Sequence, residues 1–266
     1  GWKIATYLWT KSIAAGVMLV APLVATVGLY LPLFNPDVVL PIISLVALGL
    51  TMLLLVLDLK RPDRFFYLLT KPNFRSWLVL GSYILMAYGI VTVVWLIRGW
   101  SGQDVDPAFK WITWILALAS AGYSAFLFAQ AKGRELWHSS LFFVHLIVQA
   151  WVAGTATVAI AGTWNGSYIL EHVAARSLRT WIIVNLVIVF TEILLPRANQ
   201  DARMAIASLI AGRWKLRFWG LTLGAGMLLP LIILASSPLL GSLLTLAGLW
   251  FWEDLWVKAG QSVPLS

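Results

Sequence analysis

Long, continuous apolar runs constrain this 266-residue chain more than any other feature of its sequence. A helix needs about 20 mostly apolar residues to cross roughly 30 Å of hydrocarbon. Because the runs do not alternate with a period of two, they predict helices rather than barrel strands. The sequence therefore predicts an all-α, polytopic membrane protein with eight transmembrane helices, at 4–31, 38–57, 76–98, 108–130, 136–162, 174–195, 216–236 and 238–258.

No linker or low-complexity segment divides residues 1–266, so we expect a single transmembrane domain. Helices 1–4, at about 4–130, and helices 5–8, at about 136–258, are predicted to form two four-helix bundles. Segment 203–219 mixes Ile and Leu with Arg and Lys, which indicates an amphipathic helix at the membrane interface. The first run is too long for a signal peptide and lacks a clear cleavage site, so we expect it to remain as a helix.

The residue types present restrict the cofactors that this chain can hold. Cysteine is absent, so the chain cannot form a disulfide or bind an iron–sulfur cluster through thiolates. A haem held within a helical bundle needs two facing histidines, and only His145 lies at a suitable depth, so we expect no haem. We also expect no metal site, because no His, Asp or Glu set has ligand spacing, and no hydrolytic motif is present.

Basic residues are distributed unevenly between the two predicted faces. Fourteen of the 19 Lys and Arg residues lie on the face that holds both termini: Lys3, Lys60, Arg61, Arg64, Lys71, Arg75, Lys132, Arg134, Arg197, Arg203, Arg213, Lys215, Arg217 and Lys258. The opposite face holds Arg98, Lys110, Arg176 and Arg179. The positive-inside rule places the richer face, with the termini, in the cytoplasm. A loop can also be basic because a partner docks on it, so the reverse orientation stays open.

Several ionisable or polar residues fall inside the predicted spans, where they are costly and often functional. Lys11 either snorkels to the basic interface or contacts a proton or ligand. Asp58 closes the second span as an interfacial carboxylate or as a site residue. Glu192, deep in the sixth span, indicates a structural hydrogen bond or a proton path shared with His145, for which we expect an interhelical hydrogen bond. Tyr123 lies among small residues of the fourth span, as a core side chain or as a ligand contact.

The stretch LDLKRPDRFFYLLTKPNFRSW, residues 57–77, concentrates charge and aromatic rings between two apolar runs. It resembles a signature of the NrfD family, the integral membrane subunits of polysulfide-reductase-like complexes. The matching residues are Asp58, Leu59, Arg61, Pro62, Arg64, Phe65, Leu68, Leu69, Pro72, Asn73, Arg75, Ser76 and Trp77. The N-terminal WKIATYLWTKSIAAG and the C-terminal KAGQSVPLS also look like that family, so the resemblance covers essentially the whole chain.

The resemblance implies a function in the membrane of a prokaryotic cell. Such subunits bind a quinone, menaquinone or ubiquinone, at the membrane edge. They exchange electrons with the iron–sulfur cluster of a ferredoxin-like partner, which usually connects to a molybdopterin or multihaem subunit. Apart from membrane lipid we expect no other partner class, and no nucleic acid.

Individual positions also take roles from the resemblance. Tyr123 matches a quinone-contacting tyrosine, Tyr7 and Lys3 fall near polar quinone contacts, and Asp58 matches an acidic residue suspected of handling the proton. The basic hairpin is the implied docking surface, with Arg61, Arg64 and Arg75 as partner-docking residues. Two departures affect the pocket: Lys11 stands where Gly is common, and Glu253 and Asp254 stand where Arg is expected.

Two alternative functions remain compatible with the sequence. A proton or solute transporter would show broken helices at matching positions of its two halves. Pro22, Pro41 and Pro230 form no such matched pair, which disfavours this class. A passive membrane anchor without a quinone site is the second alternative, and the modest number of buried polar groups is compatible with it.

Overall fold

The computed structural model describes residues 1–26, 35–59, 70–131, 133–195 and 199–262. Within these residues the fold is all helical and contains no strand, which confirms the all-α part of the predicted fold class. The helices are α1 (Trp2–Thr26), α2 (Pro36–Asp58), α3 (Trp77–Trp100), α4 (Pro107–Ala129), α5 (Leu141–Trp164), α6 (Tyr168–Leu194), α7 (Gln200–Ile210), α8 (Arg217–Ile233) and α9 (Pro238–Ser262). A short 3-10 turn, Glu135–His138, precedes α5.

Six helices of the described chain, α1 to α6, are long and apolar enough to span a membrane. The first part of α8, Arg217–Leu228, is wound as a π-helix, and α8 as a whole is shorter than a typical span. Helix α9 has 25 residues, but it includes Glu253 and Asp254, which lower its mean hydropathy and are buried in the protein. The chain is thus a multi-pass membrane protein, while the count of eight spans and the two-bundle arrangement stay predictions.

Capping residues fix where several helices begin. Asn35 accepts a hydrogen bond from the backbone N–H of Asp37 at 3.0 Å, and Pro36 follows at the first helical position. Asp106 caps α4 in the same way, through the N–H of Ala108 at 2.8 Å. Ser167 caps α6, so this helix begins well before the predicted boundary at 174.

The helices alternate in direction, and hydrogen bonds tie neighbouring ends together. At one end Lys3 donates to the carbonyl oxygen of Leu57 at 3.0 Å, and the N–H of Trp77 donates to Gln130 at 3.0 Å. We call this end, where α1 begins and α2 ends, the hairpin end. At the other end the indole N–H of Trp95 donates to Asp37 at 2.9 Å. We call that end the distal end.

Helix α1 lies at the centre of the structure and packs against α2, α4, α5 and α9. Its closest approach is to α5, where Gly16 faces Gly154 with no side chain between the two backbones. A Cβ atom at Gly16 would overlap the carbonyl oxygen of Ala150 and the amide nitrogen of Gly154. Small residues allow membrane helices to pack this closely. This contact joins two helices that carry four of the buried polar residues described below: Tyr7, Lys11, His145 and Gln149.

Replacing Gly16 with Ala is expected to lower the free energy of unfolding by about 1–3 kcal/mol, because backbone atoms cannot move aside as a flexible side chain would. Thermal unfolding of the detergent-purified protein measures the change. Gly49→Ala is the matched control, since the added methyl group at this exposed position of α2 meets no atom within 4 Å. Equal unfolding midpoints for the two variants would contradict the close approach.

The predicted amphipathic helix is present, but its boundaries differ. Helix α7 covers Gln200–Ile210 rather than 203–219, and it buries Ala202, Ala205, Ile206 and Leu209 against α9 and the 3-10 turn. The chain turns at Gly212, and residues 217–219 already belong to α8. The outward face of α7, with Arg203 and Met204 exposed, keeps the amphipathic character that the sequence predicts.

Candidate functional site

Tyr7, Lys11 and Tyr123 come together inside the hairpin-end half of the structure. The Lys11 side chain is fully buried, and its ammonium group donates to the Ala121 carbonyl oxygen at 2.9 Å and to the Ser124 hydroxyl at 2.6 Å. The same ammonium lies 4.8 Å from the centre of the Tyr123 ring, in a cation–π contact. Lys11 therefore does not snorkel to the surface: it joins α1 to α4 in the hairpin-end half of the described structure.

Tyr123 is held between Lys11 and a glycine of α3. A Cβ atom at Gly81 would overlap the Tyr123 ring, so the absence of a side chain there makes room for the aromatic ring. Tyr7 is also buried, and it lies one helical turn before Lys11 on the same face of α1. Its hydroxyl makes no hydrogen bond to any residue that the structure describes. The Tyr7 side chain is therefore a buried phenol whose O–H can donate a hydrogen bond to a ligand.

Glu253 of α9 is a further functional candidate, which the sequence alone indicates only as a departure from the family pattern. The side-chain amide of Gln149 on α5 is oriented by Glu253 and Trp252. Its nitrogen donates to Glu253 Oε1 at 2.8 Å, and its oxygen accepts from the Trp252 indole N–H at 2.9 Å. The second carboxyl oxygen, Oε2, is buried and has no hydrogen-bond partner among the described residues. Lys11 is near enough to Glu253 for their charges to interact. A buried carboxyl oxygen without a partner is a site for a proton or for a hydrogen-bond donor.

We refer to Tyr7, Lys11, Tyr123, Ser124, Gln149 and Glu253 as the hairpin-end cluster. Its members come from α1, α4, α5 and α9, and all of them are buried. One N–H of the Lys11 ammonium is not used by the two hydrogen bonds described above, since an ammonium has three donors. The cluster thus combines buried donors with one open carboxylate acceptor.

His145 and Glu192 form a second buried pair beside the cluster. The Nδ1 of His145 on α5 and the Glu192 Oε2 on α6 are 2.7 Å apart, and both side chains are fully buried. The His145 ring packs 5.0 Å from Trp252, the neighbour of Glu253. The expected interhelical hydrogen bond of His145 is therefore present. The deep position predicted for Glu192 is wrong, because it lies two residues before the end of α6 and is buried by facing α5.

The residues predicted at the membrane edge lie at the hairpin end, outside the buried cluster. Asp58 is the exposed last residue of α2, next to Leu57, which accepts the Lys3 hydrogen bond. Arg75 is exposed, and Gln130 at the end of α4 holds its backbone, donating to the Arg75 carbonyl oxygen at 2.9 Å. Arg61 and Arg64 lie outside the described residues. The structure thus places Lys3, Asp58 and Arg75 at one face and does not test the other two arginines.

The buried Lys, His, Glu and Asp side chains of the described chain all lie in the hairpin-end half: Lys11, His145, Glu192, Glu253 and Asp254. At 1.5 Å per residue, Lys11 lies about 14 Å along α1 from Trp2. The buried polar groups of the distal half are hydroxyls, such as Ser44 and Tyr88, which bond to each other at 2.7 Å. The polar chemistry of the core is therefore confined to the side of the basic hairpin.

Two cavities in the described structure lie away from this cluster. One, of about 510 Å³, is at the distal end and is lined by Trp95, Trp111, Trp114 and Trp151. The other is a groove of about 540 Å³ on the outer face of α6. Neither includes a cluster residue. No three His, Asp or Glu side chains of the described residues converge as they would around a metal ion.

The amino-acid sequence is similar to reductase proteins of one family. The family described as "Polysulphide reductase, NrfD" matches residues 1–252. A polysulfide reductase chain of Wolinella succinogenes is 23% identical, over 98% of this protein and 94% of that relative. Protein NrfD of Escherichia coli is 22% identical, over 87% and 83% of the two proteins.

A third relative, a putative dimethyl sulfoxide reductase membrane subunit of Halobacterium salinarum, is 30% identical over 142 residues. That match covers 45% of this chain and 33% of the relative, so it spans about a third of that protein. The family match ends at residue 252, just before Glu253 and Asp254. These two carboxylates are therefore features of this chain that the family match does not include.

Proposed function

The chain belongs to the NrfD family of reductase membrane subunits, and from this membership and the hairpin-end cluster we propose that it is the quinone-reactive subunit of a multisubunit oxidoreductase. It exchanges electrons with an iron–sulfur partner subunit and handles the protons of the quinol. The observation that carries the proposal is the burial, in one half of the structure, of three possible donors, Tyr7, Lys11 and Tyr123, and of a carboxyl oxygen of Glu253 that has no partner among the described residues. Donors of this kind suit a quinone carbonyl, and a carboxylate suits a quinol hydroxyl.

Quinol oxidation releases two protons together with two electrons, so the site needs both a hydrogen-bond donor and a proton acceptor. In this proposal Tyr123 and Tyr7 orient the head group through their hydroxyls. Lys11 supplies positive charge at the head group while Ser124 holds its ammonium in place. Glu253 Oε2 and Asp58 are the proton acceptors, one buried and the other exposed.

Protons leave at the hairpin end in this proposal. His145 and Glu192 form a hydrogen-bonded pair near the end of α6, and Glu192 lies close enough to Glu253 for their charges to interact. An exit through this pair is short, whereas the distal half of the described core offers only hydroxyl groups as buried polar side chains. The charge count favours a cytoplasmic position for the hairpin end, and the proposal keeps that orientation.

Electrons must pass to another subunit, because a chain without cysteine has no thiolate with which to hold an iron–sulfur cluster. The exposed Arg75 lies where the hairpin returns to α3, held there by Gln130. We propose this surface, with Arg61 and Arg64, as the docking site for a ferredoxin-like subunit. Such a subunit would connect to a molybdopterin or multihaem subunit. Arginine is favoured at the centre of protein interfaces, which supports this assignment.

The test compares two aspartates at opposite ends of α2 in the complex purified with its partner subunits. Asp58→Asn is expected to lower the rate of menaquinol-analogue oxidation by at least about tenfold, in line with the contribution of a general base. Asp37→Asn is the matched control, since Asp37 lies at the distal end and contacts Trp95. Equal rates for Asp58→Asn and the wild type would contradict the role of Asp58. A complex that neither binds nor oxidises the quinol analogue would contradict the proposed function itself.

A further inference from the structure

Two arginines lie on the outward face of α6 without a counter-charge in the described chain. Arg176 is exposed and Arg179 is half-buried. Neither takes part in an ion pair or hydrogen bond with a described residue, and the Nε of Arg179 is buried without any partner. Guanidinium groups stay charged in proteins, so a pair of them on a membrane-facing helix needs an anion from elsewhere.

The depth of these arginines points to the level of the lipid head groups. Helix α6 has 27 residues and is therefore about 40 Å long, roughly 10 Å more than the hydrocarbon layer. Counting about 20 residues back from Leu194 puts the hydrocarbon boundary near residue 174. Arg176 and Arg179 then lie just inside the boundary, where a long side chain reaches the phosphate layer by snorkelling.

Beyond the two arginines, toward the hairpin end, the same face of α6 is apolar and forms a groove. Ile183, Val187 and Phe190 continue the outward stripe at helical spacing and are 53%, 60% and 39% exposed. Together with Thr191 and Leu194 they line a groove of about 540 Å³. The stripe from Arg176 to Leu194 is therefore basic at the head-group level and apolar toward the membrane interior.

We propose that this stripe is a binding site for an anionic phospholipid such as phosphatidylglycerol. Arg176 and Arg179, one turn apart, bind the phosphate, since the guanidinium group pairs with phosphate through parallel hydrogen bonds. An acyl chain lies in the groove along Ile183, Val187 and Phe190. The amphiphilic order of the stripe, with cations above and apolar side chains below, matches a lipid standing in the leaflet.

Native mass spectrometry of the complex, incubated with phosphatidylglycerol or phosphatidylcholine, tests the site. The Arg176→Gln/Arg179→Gln variant is expected to retain at least about tenfold less phosphatidylglycerol than the wild type, because both phosphate contacts are lost. Arg98→Gln is the matched control, an exposed arginine at the same distal end whose own partner is the Asp104 carbonyl oxygen at 3.5 Å. It is expected to retain the lipid as the wild type does.

Three results would overturn the proposal. The double variant could retain phosphatidylglycerol unchanged, or the wild type could retain phosphatidylcholine equally well. Alternatively, the double variant could lose a membrane partner subunit while its lipid content stays the same, which would assign the face to a protein. A second variant, Val187→Trp, fills the groove and leaves both arginines in place. It is expected to lower phosphatidylglycerol retention as well, and it decides the question if the double variant does not assemble.

Discussion

A complex carrying Tyr123→Phe is expected to oxidise quinol at least about tenfold more slowly than the wild type, with little loss of stability. The substitution removes only the hydroxyl group. The aromatic ring, its contact with Gly81 and its cation–π contact with Lys11 all remain possible for Phe. If the Tyr123 hydroxyl orients the quinol, its loss affects the reacting complex rather than the fold. Steady-state oxidation of a menaquinol analogue by the reconstituted complex gives the rate.

Tyr88→Phe is the control that separates catalysis from stability. Tyr88 is another fully buried tyrosine, and its hydroxyl bonds to Ser44 at 2.7 Å and to the Ala14 carbonyl oxygen at 2.6 Å. Loss of these bonds is expected to lower the free energy of unfolding by about 1 kcal/mol and to leave turnover unchanged. If Tyr88→Phe and Tyr123→Phe slowed turnover equally, the specific role of Tyr123 would be wrong.

Hydropathy predicts where the helices lie because a lipid-facing helix must be apolar along its whole length. The second run, predicted at 38–57, is helix Pro36–Asp58 in the structure, and its ends follow from Asn35 and the start of the hairpin. Helix α6 starts earlier than predicted because its first two turns contain Glu171 and His172, which the hydropathy-based boundary at 174 excludes. A helix that extends beyond the hydrocarbon tolerates such residues, so its start is set by the cap at Ser167 instead.

The convergence of side chains is harder to predict than the helices. The burial of Lys11 against Ser124 depends on how α1 crosses α4, and neither helix encodes that crossing in its own sequence. Only the family resemblance predicts that Tyr7 and Tyr123 belong to one site. Glu253 is different, because a carboxylate within an apolar run is itself a signal of function. The sequence contains that signal, in LWFWEDLWV, but the partner Gln149 is identifiable only in three dimensions.

The interaction between Lys11 and Glu253 gives the second large expected effect. Lys11→Met and Glu253→Gln are each expected to lower the free energy of unfolding by about 1–3 kcal/mol, because each changes one member of a buried polar cluster: Lys11 donates two buried hydrogen bonds, and Glu253 accepts one from Gln149. The double variant should lose less than the two single variants together, with a coupling of about 0.5–3 kcal/mol. Unfolding of the purified protein by a denaturing detergent, monitored by circular dichroism, measures all four proteins of the cycle.

Lys3→Met combined with Glu253→Gln is the matched control cycle. Lys3 is a half-buried lysine on the same helix, but its ammonium donates to the Leu57 carbonyl oxygen at the hairpin end and is not among the charges that act on Glu253. The effects of Lys3→Met and Glu253→Gln on the free energy of unfolding should add to within about 0.5 kcal/mol. If the effects of Lys11→Met and Glu253→Gln were additive as well, the side chains of Lys11 and Glu253 would act independently.

Non-additive effects of Lys11→Met and Glu253→Gln would also have a consequence for quinol oxidation. Lys11 and Glu253 belong to the same buried cluster, and Glu253 Oε2 has no hydrogen-bond partner among the described residues. Lys11→Met is then expected to slow quinol oxidation even in complexes that are fully assembled, because the substitution removes the positive charge that the proposal places at the quinol head group. Full turnover in an assembled Lys11→Met complex would contradict that role of Lys11.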